Sequence, residues 1–425
     1  MAVAVEIGGI IIIVGALLHA FAGIYGFAVR AGRMARQGAE ELELFRARAK
    51  IVLDRAAAER ERSELSWNGK RKFEVVRREI ENPAGDICSF YLAPHDKRPI
   101  PPFRPGQFLT FELPIPGQPG PTVRCYSLSD SPLNRDFYRV SIKKLGPPPK
   151  QPDAPPGLSS NFFHNNLKEG EIVEVMAPAG EFFLNEESER PVVLIGGGVG
   201  LTPVVSMLNS IVASGSRREV WFFYGVRNRN EHAMYDHLKQ IAKDNDNVHV
   251  VVCYSQPSET CREGIDYDRK GFVSVDLIKS MVASNNYEFY ICGPPPMMEM
   301  ITQHLEEWGV PESDINFEAF GPATVKKTQE PASEAEAGAA QAIKVVFSRS
   351  NKTVQWGSGA ETLLELGEAN GIRMNCGCRS GSCGTCLTAL KQGEVEYIYR
   401  PGKQPEAGSC LTCISRPKAD IVLDA

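Results

Sequence analysis

The stretch Asn375–Cys386, NCGCRSGSCGTC, crowds four cysteines into twelve residues among glycines and serines, and GSCLTC adds Cys410 and Cys413 shortly after. The other five cysteines, Cys88, Cys125, Cys253, Cys261 and Cys292, are scattered singly. A disulfide scaffold would spread pairs through a small secreted domain, so local crowding points to metal binding in a reducing compartment. Cys378, Cys383 and Cys386 give C-x4-C-x2-C, the plant-type [2Fe–2S] spacing, whose fourth ligand must come from elsewhere. Glycine and serine allow the tight loop whose amides bond the sulfurs. Cys410 and Cys413 are both candidates for the fourth ligand by position, and Cys376 and Cys410 each read as a spare buried thiol. Zinc is the competing metal, held by Cys383/Cys386 and Cys410/Cys413 as a ribbon. That arrangement leaves Cys378 and the Gly-Ser context unused, whereas the iron reading uses both.

At 425 residues the chain is long enough for about two to three domains. A net charge of −5 with no long basic run argues against a nucleic-acid partner. The first segment differs from the rest: residues 7–29 carry no charge, and Arg30, Arg33 and Arg36 follow at once. Such a stretch is long enough to cross a bilayer, and the arginines place everything downstream on the cytoplasmic side. A signal peptide fits less well, because Glu6 precedes the apolar run and no small-residue cleavage site follows it. His19 within the span reads as a tolerated polar residue or a helix–helix contact. An uncleaved anchor over 1–30 and a charged helical stalk over 31–68, rich in Ala, Glu, Arg and Leu, are therefore expected.

From about Lys70, short strand-like runs alternate with Pro and Gly turns (KFEVVRREI, QFLTFEL, TVRCYSLSD, YRVSIKKL, IVEVMAPAG), which predicts an antiparallel β-barrel over 69–188. From Pro191 strand and helix patterns alternate, which predicts an α/β domain with a parallel sheet over 189–323. Residues 324–342 read as a polar Ala/Glu-rich linker, and 343–425 as a small third domain carrying the cysteines.

Two sets of residues in these domains carry chemistry. Arg124, Tyr126 and Ser127 offer a cation, an aromatic face and a small hydroxyl on one strand, the three things a flavin site needs. Gly157, Ser159 and Ser160 stand ahead of a short helix, a ready site for a pyrophosphate. In PVVLIGGGVGLTPVVSML, Gly198 and Gly200 let backbone approach a dinucleotide, Thr202 suits an N-cap and Pro203 the first helical position. Leu201 replaces the third glycine of the ordinary dinucleotide fingerprint. Cys292, Gly293 and Pro294 end the last strand of the alternating pattern, where open α/β sheets bind ligands.

In this order, these motifs resemble the ferredoxin–NADP reductase superfamily over about residues 70–322, and are especially similar to the reductase part of flavohaemoglobins. The C-terminal segment, with LTCISRPKADIVLD, resembles the β-grasp ferredoxin domain of Rieske-oxygenase and related ring-hydroxylating reductases. The resemblance implies FAD (FMN in some relatives), NADH or NADPH, and a [2Fe–2S] cluster on Cys378, Cys383, Cys386 and Cys413. It places Arg124, Tyr126 and Ser127 on the flavin, Gly198–Pro203 and Cys292–Pro294 on the nucleotide, and Phe320 against the flavin with Glu318 nearby. Ser127, Cys292 and Glu318 become the candidate catalytic residues. Arg227 and Arg229 lie near a 2′-phosphate position, but CYSQP lacks a Ser-Arg pair, which favours NADH. The 68 residues before the barrel hold no globin, so globin chemistry is not implied. The expected partner is an electron-accepting oxygenase, hydroxylase or desaturase at the inner membrane. The alternatives are a quinone-reducing respiratory complex, whose flavin subunit carries its ferredoxin domain first, and a hybrid-cluster protein.

Overall fold

The computed structural model describes residues 56–425 apart from 119, 148–152, 154, 319, 321–342, 358, 373, 378, 380, 382–383, 399–400 and 402–404, with scattered residues between 15 and 53. The chain falls into two units, Met1–Glu64 and Leu65–Ala425. In the first, residues 17–27 are helical, and Leu17, Leu18, Phe21, Ile24, Tyr25 and Phe27 all stand exposed. No helix among the described residues is long and apolar enough to cross a membrane. Much of the expected anchor at 7–29, much of the stalk and all of the 324–342 linker lie outside the described residues.

The second unit opens with six strands: β1 (Arg71–Ile80), β2 (Ile87–Pro94), β3 (Phe108–Leu113), β4 (Thr122–Ser127), β5 (Tyr138–Lys143) and β6 (Ile172–Val175). They pair antiparallel in the order β4-β3-β6-β1-β2-β5. A bridge between Leu128, just past β4, and Val140 on β5 joins the two edges, closing the sheet into the expected barrel. Its interior is aromatic: Phe73, Phe90, Phe111, Tyr138 and Phe163 are essentially fully buried. Phe163 comes from helix α1 (Leu158–Asn166), which plugs the barrel and packs edge-on against Phe90, Phe111 and Tyr126.

Next come β7 (Val192–Gly197), α2 (Leu201–Ala213), β8 (Val220–Val226), α3 (Tyr235–Asp244), β9 (Val248–Tyr254), β10 (Arg269–Lys270), α4 (Val275–Lys279), β11 (Glu288–Cys292), α5 (Pro295–Glu307) and β12 (Ile315–Glu318). The strands form one parallel sheet, ordered β10-β9-β8-β7-β11-β12. Both faces are covered, which is why β7 reads as an unbroken apolar run. Val192 and Leu194 join the core beneath α2 and α3, while Val193 and Ile195 join the core beneath α4 and α5. The chain runs outward from β7 to β9 and returns on the other side at β11, so the order switches between β7 and β11.

Barrel and sheet are fused. Ile87, Phe182 and Leu184 of the barrel side share one core with α2 and α3. Ser206 donates to the Asp130 carbonyl at 2.7 Å, and Asn209 donates to the Ser129 carbonyl at 3.3 Å. The segment between the two domains is strapped down by Arg218, whose guanidinium donates to the carbonyls of Arg190 and Asn185 and to Glu288 at 2.7 Å. Arg218 is 4% exposed and Glu288 5%, so this pair is desolvated.

The last eighty residues form a five-stranded sheet, β14-β13-β19-β15-β17, from β13 (Lys344–Phe347), β14 (Lys352–Gln355), β15 (Leu387–Gln392), β17 (Ser409–Leu411) and β19 (Ile421–Leu423). β16 (Val395–Tyr397) and β18 (Ser415–Pro417) pair separately. Helix α6 (Leu363–Ala369), N-capped by Thr362, lays Leu363 and Leu366 on Val345, Phe347, Ile421 and Leu423. One helix grasped by a mixed sheet is the β-grasp arrangement.

The Arg218 strap yields a stability prediction. Glu288→Ala leaves the guanidinium buried without its counter-charge, and is expected to cost about 3–5 kcal/mol. Urea unfolding followed by tryptophan fluorescence measures it; a loss below about 1 kcal/mol would show that the pair is not a dry strap.

Candidate flavin, nucleotide and cluster sites

Strand β4 delivers its residues by register. Tyr126 stands opposite Leu109 and Arg124 opposite Phe111. The Tyr126 ring packs edge-on against Phe111 and Phe163, and burial pushes its phenol above the usual range. Ser127, 6% exposed, ends the strand. Arg124 donates to the neighbouring Val123 carbonyl at 2.7 Å and has no carboxylate partner among the described residues.

These residues line a cavity of about 620 Å³ with Phe108, Cys125, Ser141, Lys143, Leu145, the Gly157–Ser160 start of α1, Val199, Thr202, Glu318 and Phe320. Gly377 and Arg379 of the cysteine loop line it as well. Strand β4, the nucleotide-side glycine turn, the end of β12 and the cluster loop therefore meet at one void. Lys143, Leu145, Gly377 and Arg379 were not expected there; the alternation of KKL marks a strand but not which face meets α1.

Helix starts differ in detail from the sequence reading. Ser159 and Ser160 do not precede α1 but occupy its first turn, and Gly157 is the N-cap, without a side-chain cap. Ser160 turns inward, accepting from Leu145 N at 3.2 Å and donating to the Gly157 carbonyl at 3.1 Å. Likewise Thr202 is not the N-cap of α2, nor Pro203 its first residue. Gly198–Gly200 form a 3₁₀ turn that runs straight into a helix beginning at Leu201, so the cap falls on Gly200. Thr202 instead donates to the Val199 carbonyl at 3.1 Å and tightens that turn.

The crevice at the β7/β11 switch is built by close backbone approach. A Cβ on Gly200 would sit 2.3 Å from the Cys292 carbonyl oxygen, and one on Gly197 2.6 Å from Met297 Sδ and 2.8 Å from Pro294 Cδ. Gly198 has φ +54°, and a Cβ there would meet nothing, so its backbone faces open space. Gly293 lies against Gly197. Cys292 is fully buried in β11 rather than on the cavity wall, opposite Glu318 on β12. Burial, with Glu318 adding to it, raises its thiol well above the usual range. Of the two arginines after β8, Arg227 pairs with Glu231 at 3.3 Å and Arg229 lies 3.8 Å over the Tyr235 ring.

In the cysteine loop Cys378 and Cys383 lie outside the described residues. Cys386 and Cys413 bring their sulfurs to 3.1 Å, buried in a small core with Leu364, Leu411 and Ile414. Cys410 belongs to the other core, with Val345 and Phe347, and burial pushes its thiol up to about 12. Cys376 is half-buried, 3.9 Å from Arg379.

The residues fit the groups the fold implies. An unpaired guanidinium beside uncapped helix amides is an anion site suited to a pyrophosphate. Two convergent buried thiols, Cys386 at the end of a loop with left-handed backbone at Arg379, Gly381 and Gly384 and Cys413 in the turn Thr412–Ile414, suit an iron cluster. Comparison with known proteins agrees. Residues 194–303 match the oxidoreductase NAD-binding domain and residues 346–418 the 2Fe-2S iron–sulfur cluster binding domain. The flavohemoprotein of Halalkalibacterium halodurans is 41% identical over 257 residues, 60% of this chain and 61% of that protein. The chain thus spans about three-fifths of that relative's length. Among solved structures, the flavohem-like FAD/NAD-binding domain of nitric oxide dioxygenase from Vibrio cholerae is 31% identical, with TM-score 0.53, covering 59% of this chain and 99% of that one. Phthalate dioxygenase reductase, described as modular for electron transfer from pyridine nucleotides to [2Fe–2S], is 26% identical with TM-score 0.54, covering 84% of this chain and 98% of that one. The chain belongs to the ferredoxin reductase superfamily, with a C-terminal [2Fe–2S] domain. Its cofactors are FAD, a nicotinamide nucleotide and the cluster.

Two outcomes are expected. Gly200→Ala forces apart the Gly-rich turn and the Cys292–Pro294 turn, and weakens nicotinamide nucleotide binding by about tenfold or more, read by calorimetric titration. Unchanged affinity would remove this contact from the nucleotide site. Cys410→Ser keeps its iron whereas Cys413→Ser loses it, read by metal analysis; the reverse pattern would exchange their roles.

Proposed function

We propose that the protein is an NAD(P)H-dependent reductase that passes electrons from the nucleotide through FAD to its [2Fe–2S] cluster, and from there to an oxygenase, hydroxylase or desaturase. The observation that carries this reading is the single cavity lined by Arg124, Tyr126 and Ser127, by Val199 and Thr202 of the nucleotide-side turn, and by Gly377 and Arg379 of the cluster loop. The flavin, when bound, supplies conversion of a two-electron hydride donation into single-electron steps. The chain supplies placement. Arg124 and the start of α1 hold the pyrophosphate, Tyr126 presents its ring to the isoalloxazine, and Ser127 offers a hydroxyl at the buried end of β4. Gly198–Pro203 and Cys292–Pro294 seat the nucleotide across the β7/β11 crevice, at a topological switch point. Glu318 and Phe320 close the nicotinamide side, with Cys292 sealed behind Glu318 in β11. Cys378, Cys383, Cys386 and Cys413 ligate the cluster.

NADH is the proposed donor, because Arg227 and Arg229 each have a partner, Glu231 and Tyr235 respectively. The likeness to phthalate dioxygenase reductase supports an oxygenase as acceptor. We further propose that residues 7–29, uncharged and followed by Arg30, Arg33 and Arg36, anchor the protein in the inner membrane with its redox domains cytoplasmic. Tethering would concentrate the reductase beside a membrane-bound acceptor.

Anaerobic NADH is expected to give purified protein the low-temperature EPR signal of a reduced [2Fe–2S] cluster, with FAD and iron bound. Zinc in place of iron, and no signal, would leave a flavin reductase with a structural C-terminal domain. The full chain is expected in the carbonate-washed membrane fraction. Co-purification from detergent with a multi-subunit quinone-reducing complex would replace the oxygenase as acceptor.

A further inference from the structure

Arg379 does not fit the role of an ordinary loop residue. It has φ +58° without being glycine, and such outliers persist only where the surroundings fix them. Its neighbours do so: Glu368, at the end of α6, accepts from its Nη2, and the same nitrogen lies 3.9 Å from Cys376 Sγ. Its Nε is buried without a hydrogen-bond partner among the described residues. Arg379 lines the flavin cavity, although it belongs to the ferredoxin domain. The other charged residues on that wall are Arg124, Lys143 and Glu318. Lys143 is already engaged by Asp86 and Glu231, both at 3.3 Å.

We propose that Arg379 is a positioning residue between the flavin site and the cluster: its guanidinium, clamped by Glu368, presents a fixed positive charge to the flavin cavity and holds the cluster-bearing loop against it. This rests on the electron path proposed above. In each transfer one electron leaves reduced flavin and enters oxidised cluster; Arg379 neither gains nor loses a proton. A guanidinium suits the task because it stays charged throughout and its planar fork keeps one edge for Glu368 while another faces the cavity. A fixed cation there favours the reduced, more negative flavin, and in a partly dry site that preference is larger than in water.

The test uses full-length holoprotein. Wild type, R379Q, R379K and E368Q are assayed for FAD and iron content. Each is mixed anaerobically with NADH while flavin and cluster absorbance are followed separately, and the flavin midpoint potential is measured. With cofactors retained, R379Q is expected to lower the flavin potential. It is also expected to slow cluster reduction by about tenfold, because the loop is no longer held against the flavin, although the lower potential alone would favour transfer to the cluster. R379K restores most of the potential and part of the rate. A role confined to loop folding would leave the flavin potential unmoved, so wild-type potential and rate in R379Q overturn the assignment. Should R379Q lose iron, E368Q decides: slower cluster reduction at full iron content supports the assignment, and a wild-type rate overturns it. Failure of NADH to reduce the cluster in wild-type protein overturns the electron path and this inference together.

Discussion

The architecture of residues 65–425 depends on one constraint: a barrel and a parallel sheet share a core, so the flavin wall and the nucleotide crevice are held at fixed separation. Ile87, Phe182 and Leu184 sink into the apolar layer under α2 and α3. Arg218 pins the connecting segment from below through two carbonyls and Glu288. Hydride transfer requires donor and acceptor within van der Waals reach, and a geometry error of about one ångström costs orders of magnitude in rate. A desolvated ion pair is a poor source of net stability but a good device for specifying one arrangement, because any other leaves charge buried and unpaired.

Within that frame, glycine sets how closely the two sides approach. The turn after β7 and the turn after β11 touch backbone to backbone, with Gly200 against the Cys292 carbonyl and Gly293 against Gly197. Side chains there would pry the switch point open. Cys292 is consequently sealed beneath the turn rather than displayed on the wall, and its raised thiol stays protonated, a neutral neighbour to Glu318. A neutral, compact sulfur at that depth contributes shape without charge at the floor of the crevice.

Much of this was legible in the sequence where a short-range pattern carries it. Strand alternation gave the barrel, βα alternation gave the parallel sheet, and R-x-Y-S with the Gly-rich turn located the two faces of the cavity. Cap positions slipped by two residues at Thr202 because the 3₁₀ turn Gly198–Gly200 continues into α2, so the helix starts earlier than its hydroxyl suggests. Ser159 and Ser160 slipped because Gly157 caps α1, so both serines fall in its first turn, and Ser160 is spent on Leu145 and Gly157. Long-range features left no local trace. Arg218 and Glu288 are seventy residues apart in sequence, and a whole domain lies between those of Arg124 and Arg379.

That last separation bears on how a cluster domain meets a flavin at all. Cys386 and Cys413 are buried in a small apolar core with Leu364 and Ile414, a dry setting for thiols that would hold a cluster. The loop before them turns the other way. Gly377 and Arg379 face the flavin cavity, and Gly381 packs so closely on Ile414 that a Cβ would lie 2.4 Å from its Cδ1. Gly381 thus rests on its own domain, while Arg379 brings a charged residue to the flavin wall. A charged contact of that kind fixes orientation through electrostatic complementarity more than through affinity, which suits a carrier that takes an electron at one partner and gives it up at another.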